Sequence, residues 1–123
     1  MKRRIVTYNA LDVVRVPFPF TDRQSTKNRP ALILSNAKSF NKPSGHSVMA
    51  MITSAGHLPW PLDCAIEDLE SAGLPAASIV RFKLFTIDHR LVRGKLGKLS
   101  DKDGKTVRRN LNELMRFNES ART

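Results

Sequence analysis

The sequence predicts an α+β fold, a small SH3-like antiparallel β-barrel with a C-terminal helix. Three features carry that expectation. Short apolar runs of strand length recur between clusters of Pro, Gly, Asn and Ser. The last apolar pattern has helical spacing, with a capping residue in front of it. The 123 residues contain no repeat, low-complexity tract or Gly/Ser-rich linker, and they suit one modest core. Residues 1–123 are therefore read as a single domain with a basic lead over about residues 1–10.

Residues 12–18, DVVRVPF, alternate in part and are rich in valine, so they read as the first strand; Pro17 and Pro19 mark its end or an edge, because proline cannot donate a ladder hydrogen bond. TDRQSTKN over 21–28 has loop chemistry, and extended structure resumes from Pro30 to Ser35. A loop around Asn41, Pro43 and Gly45 leads into a third strand over Ser47–Thr53. After the loop SAGHLPWP comes a short strand near Leu62–Ile66, and Glu67–Ser71 is read as a helical turn stopped by Gly73 and Pro75. Ser78–Phe82 and Leu84–Ile87 are two further short strands, followed by the basic stretch HRLVRGKLGKLS. Ser100 is an N-cap with Asp101 and Asp103 in the first turn. Val107, Leu111, Leu114 and Met115 then recur at helical spacing to about Phe117.

The net charge is +10, from 21 Lys/Arg and 11 Asp/Glu. The surplus is uneven: residues 1–60 carry nine Lys/Arg against Asp12 and Asp22 alone. Such a field attracts polyanions and makes their binding salt-dependent, but it serves nucleic acid, acidic proteins and anionic membranes alike. No run approaches the roughly 20 apolar residues that span a bilayer, and no apolar segment follows the early positive charge, so the chain is read as neither secreted nor membrane-spanning, and no membrane is among the expected partners. The single cysteine, Cys64, has no internal partner, no paired Cys/His spacing suggests structural zinc, and a reducing cytoplasm is the expected compartment. Cys64 falls in a predicted strand and reads as buried and inert.

The motifs go further than composition. DVVRVPFPFTD followed by NRPALILS, an apolar strand ending in Thr53, then SIVRFKLFTID and KLGKLS before the last helix, resembles the MazF/PemK family of toxin endoribonucleases. The resemblance runs from about Asp12 to the final helix, and the pairing of VPFPFTD with RPALILS is its most specific part. It implies an SH3-like barrel, a homodimer, cleavage of single-stranded RNA (mRNA) without metal or other cofactor, and an acidic cognate antitoxin, with operator DNA bound through the antitoxin complex. Carried onto this chain, the family's catalytic arginine matches Arg29 and its catalytic threonine Thr53. The acidic residue at the start of the first strand matches Asp12, although the glycine that usually precedes it is here Leu11. Some members carry an acidic residue shortly after the arginine that matches Arg81; here Phe82 and Lys83 follow, so a catalytic Arg–Asp pair is not expected there.

Cleavage by attack of a 2′-hydroxyl on the adjacent phosphate needs a proton acceptor, a group to stabilise the extra charge of the phosphorane, and a proton for the leaving oxygen. A guanidinium suits the second task, since its planar fork donates two hydrogen bonds to phosphate oxygens; it is a poor base because it stays protonated. Arg29 is therefore assigned to charge stabilisation, whereas spacing alone reads it as an arginine at a strand edge. Thr53 offers a hydroxyl for phosphate or ribose, or is simply a good strand former. The base is sought among His46, His57 and His89, with His57 first because it lies nearest Thr53 in sequence. Arg23, Lys27, Ser54 and Arg81 are candidate RNA contacts. Trp60, between prolines, stacks on an unpaired base or fills the core or a subunit interface. Phe18 and Phe20 are read as packing residues. The competing reading is a non-catalytic toxin or a nucleic-acid-binding module of the same barrel.

Overall fold

The computed structural model describes residues 7–18 and 27–117. These form six strands, β1 (Asp12–Phe18), β2 (Lys27–Ile33), β3 (His46–Ser54), β4 (Cys64–Ala65), β5 (Ser78–Asp88) and β6 (Lys95–Lys98), with helices α1 (Lys42–Ser44), α2 (Leu69–Ala72) and α3 (Asp101–Leu114). All strand pairs are antiparallel, in the order β4-β5-β3-β2-β1-β6. The edge strands β4 and β6 do not pair with each other, so the sheet is curled rather than closed. Helices bridge the open seam: Asn110 of α3 donates to Leu62 O beside β4 (3.2 Å), and Ser71 Oγ of α2 donates to Lys98 O of β6 (2.7 Å).

Alternation along the central strands fills two cores, one on each face. Val13, Leu32, Ala50, Ile52 and Val80 pack with Leu99 and Val107 under the helices. Val14, Val16, Ala31, Ile33, Met49 and Ile87 pack on the other side. Each Val, Leu, Ile or Met side chain among them, fully removed from water, contributes roughly 1.5–3 kcal/mol. Where α2 meets β6, backbone touches backbone. Gly73 sits at φ 73°, and a Cβ on Gly97 would stand 2.4 Å from Ser71 O, so neither position accepts a side chain without parting the two elements.

Several expectations shift. β2 begins at Lys27, three residues early, because Phe18 pairs with Lys27 and Pro17 with Asn28. The two short strands of 78–87 are one long β5 with a bulge: Ala50 faces Leu84 while Met51 faces Arg81, which leaves Phe82 and Lys83 as the extra residues. The loop near Asn41 is a wide π-type turn over Ala37–Asn41 running into α1, held by the buried Asn41 amide, which donates to Tyr8 O and Ser35 O (both 2.9 Å). β6 lies inside the stretch read only as basic.

The C-terminal helix is capped by Ser100, whose Oγ accepts from Asp103 N at 3.2 Å. Asp103 does more than favour the dipole: its buried carboxylate accepts the backbone N–H groups of Glu67 and Asp68, which fixes the entry to α2. Of the apolar stripe, Val107 is buried and Leu111 half-buried, while Leu114 and Met115 are exposed where the helix ends beyond the sheet. Leu11 has φ 75°, the conformation a glycine would adopt without strain, and its side chain lies over Gly104, where a Cβ would come within 2.7 Å of Leu11 Cδ1. The turn it makes presents the buried Asp12, whose carboxylate accepts from Asn9 N (2.9 Å) and lies 3.2 Å from Lys95 Nζ.

Candidate active site

Two adjoining depressions, of about 250 and 260 Å³, open at the end of β3 and share Arg29, Ile52, Thr53 and His57 as lining. The first is completed by Phe18, Met51, Arg81 and Lys83, the second by Ser54 and the segment around Leu74–Ser78. Each element has a reason to be here. β2 carries Arg29 outward one residue before Pro30; Ala31 pairs with Met51, which brings β3 alongside so that Thr53 ends its strand near Arg29. Past Ser54 the chain turns over the opening and carries His57.

Arg29 is exposed, its guanidinium carbon 5.8 Å from the Phe18 ring centroid, and it makes no hydrogen bond or ion pair among the described residues. The Thr53 hydroxyl likewise makes no hydrogen bond there. Among the described residues, then, a guanidinium and a hydroxyl on one cavity wall have no internal hydrogen-bond or ion-pair partner.

Arg81 differs. Its Nε and Nη2 form a two-point pair with Asp63 (3.2 and 2.9 Å), Nη2 also donates to Leu58 O (2.7 Å), and its side chain is 11% exposed. The residues after Arg81 supply no carboxylate, as the sequence indicates; one arrives instead from the turn before β4. The Arg81 hydrogen bond holds the Asp63 carboxyl below its ordinary range and Asp63 in turn raises Arg81, so both stay charged. Asp63 is the residue that sequence reasoning missed. WPLD, a proline turn that opens the acidic stretch Asp63, Glu67, Asp68 and Glu70 in a strongly basic chain, is the available signal.

The remaining candidates divide. Ser54 lines the second depression. Trp60 does not line the first, but stands at its rim against Arg81 and Lys83, 5.1 and 5.6 Å from its ring centroid. Lys27 is exposed at the start of β2 and lines neither depression. Arg23 lies outside the described residues, as does Phe20. Of the three histidines only His57 belongs to the site. His46 opens β3, about 23 Å of strand from Thr53; His89 sits beyond the far end of β5, hydrogen-bonded to Ser47 Oγ (2.8 Å), and burial lowers its pKa. Cys64 is buried, as expected, and burial raises its thiol pKa. No three His, Cys, Asp or Glu side chains among the described residues gather as a metal-ligand set. No helix among them is long and apolar enough to cross a membrane.

A curled six-stranded sheet with a helix over its seam and a cleft lined by Arg29, Arg81 and Lys83 defines a small barrel-like domain. Comparison with known proteins supplies the family. Residues 9–115 match the model of the PemK-like, MazF-like toxins of type II toxin–antitoxin systems, and the chain belongs to that family. No curated protein matches it at the level of sequence. Solved structures share the fold at low identity. A MazE–MazF complex from Deinococcus radiodurans superposes with a TM-score of 0.72 at 20% identity, over 92% of this chain and 100% of that one. An endoribonuclease in complex with its cognate antitoxin from a mycobacterial species gives 0.71 at 14%, over 94% and 100%. A MazF toxin of Mycobacterium tuberculosis gives 0.66 at 16%, over 88% and 99%.

Proposed function

We propose that this toxin is an endoribonuclease that cleaves single-stranded RNA without a metal ion, by attack of a 2′-hydroxyl on the neighbouring phosphate. The observation that carries the reading is one open cleft lined by His57, the Arg29 guanidinium and the Thr53 hydroxyl, the last two without a hydrogen bond or ion pair among the described residues. Arg29 donates two hydrogen bonds to the phosphate and stabilises the charge that grows on its oxygens. Thr53 donates a third or orients the ribose. His57 takes the 2′-hydroxyl proton; the P–O5′ bond breaks, the departing 5′ oxygen takes a proton from water, and a 2′,3′-cyclic phosphate remains. Ser54 and Lys83 hold the flanking backbone.

The partner is an acidic antitoxin whose carboxylates neutralise the cleft. Two of the structural relatives are complexes of a toxin with its antitoxin, which supports that reading. Operator DNA would be bound by the complex. A homodimer is the expected assembly, and Leu84, Leu114, Met115 and Phe117 leave apolar surface for it. Incubating the purified protein with a long RNA in EDTA should give discrete fragments ending in a cyclic or 3′ phosphate. An RNA left intact by wild type, although bound, would favour the non-catalytic barrel.

A further inference from the structure

We infer that the Asp63–Arg81 pair is a latch that presents the Trp60 indole as a stacking platform for an unpaired RNA base next to the reacting phosphate. Asp63 is then a positioning residue. This deepens the RNA reading above and rests on it.

The turn around Trp60 is fixed from every side. Asp63 Oδ2 accepts the Trp60 N–H (2.9 Å) and Trp60 O accepts the Asp63 N–H (3.3 Å), so residues 60–63 close on themselves. Leu62 is held at φ 68° within that turn, with its carbonyl taken by Asn110 of α3. Pro59 and Pro61 restrict the backbone on both sides of the tryptophan. One guanidinium ties the two arms together, since Arg81 reaches Leu58 O on one side of Trp60 and Asp63 on the other.

An aromatic ring fixed this firmly is usually in a core, yet Trp60 is 44% exposed. Arg81 and Lys83 lie over the ring and hold it in place, while 44% of the residue stays open to a ligand. Arg81 and Lys83, which lie against the indole, also line the cavity that holds Arg29 and Thr53. The platform thus adjoins the cavity that holds the candidate chemistry. A pre-ordered ring loses little entropy when a base stacks on it, and stacking tolerates sequence because every base has a π face. Asp63 and Arg81 are each nearly buried, so the pair has a reason other than surface charge: removing one partner leaves the other charge uncompensated and frees the loop.

Trp60 is the only tryptophan, so its fluorescence reports on the platform alone. The probe is a short single-stranded RNA blocked by 2′-O-methyl groups, compared with an abasic strand of equal length, with binding followed independently by the anisotropy of an end label. The base-containing strand should quench Trp60 saturably and bind about 10-fold or more tighter than the abasic strand, which should bind without quenching. Asp63→Asn should lose the quench and bind both strands like the abasic one. With cleavable RNA it should raise KM about 10-fold while kcat stays within about threefold, a split that general loosening of the fold would not give. Arg81→Lys, which keeps the charge but not the fork, should behave alike and serves if Asp63→Asn fails to fold. Equal quenching by both strands, or tight binding with no quench, would overturn the platform. Tighter binding of the abasic strand by Asp63→Asn would show that Arg81 is a phosphate contact released by the change, and would overturn the latch. A blue shift of emission as protein concentration rises, with no RNA quench, would put Trp60 under a second copy instead. If anisotropy detects neither strand, the RNA reading itself fails and takes the platform with it.

Discussion

Arg29 and Arg81 line the same cavity, and they are not the same kind of group. Arg29 stands on β2 with no hydrogen-bond or ion-pair partner among the described residues, so its charge and both arms of its fork are available. Arg81, on β5, is clamped by Asp63 and the Leu58 carbonyl. A charge already neutralised by a partly buried carboxylate adds little field to the cleft, whereas the unpaired one projects it fully. What a basic residue can do is thus set by its neighbours rather than by its type or by its distance from the site.

The comparison can be broken in several ways. The largest expected effect is on Arg29: Arg29→Ala should lower kcat by about 10²–10³, the usual loss when a preorganised donor to a developing oxyanion is removed. Arg29→Lys should recover little of it, because a point charge lacks the fork. Arg81→Ala should act mainly on KM and on proteolysis of the loop over residues 57–63. Next is His57→Gln, expected to cost about 10²-fold in kcat as a lost proton acceptor; an unchanged rate would move the base elsewhere. Thr53→Val keeps the strand and removes the hydroxyl, and about a 10-fold loss should show in kcat/KM.

The latch adds a pH dependence that Arg29 should not share. The folded-state pKa of Asp63 lies below its ordinary 3.8. The pair therefore contributes its full stability above about pH 3.8 and loses it as pH falls through the lowered value. Amide exchange of Trp60 and Asp63, corrected for its intrinsic rate, should stay flat from pH 7 to about 4 and accelerate only below. The smallest expected effect is none at all: EDTA should leave cleavage unchanged. Activity lost in chelator and restored by magnesium would contradict a mechanism built on Arg29 and His57.

Much of this was legible in the chain before any coordinates. The first three strands, the turn ended by Gly73 and the capped final helix follow from alternation, turn residues and Ser100, because those signals are local. The paired VPFPFTD and RPALILS motifs pointed to Arg29 and Thr53, and the fold brings both to one cleft. What was not legible depends on pairing across the sheet. The bulge that joins 78–82 and 84–87 into one strand is set by the register with β3, and β6 exists only because β1 offers it an edge. Asp63 escaped notice for the same reason, since its partner Arg81 lies 18 residues away on another strand. The final apolar turn of α3 misled because spacing cannot say where the surface beneath a helix ends. Among three histidines, sequence proximity to Thr53 selected the one that reaches the cleft, while His46 and His89 lie at the opposite end of their strands.

The central claim is tested most directly by single-turnover cleavage of one RNA, at saturating concentration and in EDTA, by wild type, Arg29→Ala and Asp63→Asn. The expected result is a rate about 10²–10³ lower for Arg29→Ala, with unchanged thermal unfolding, and a rate within about threefold of wild type for Asp63→Asn. A folded Arg29→Ala protein that cleaves as fast as wild type would contradict the account.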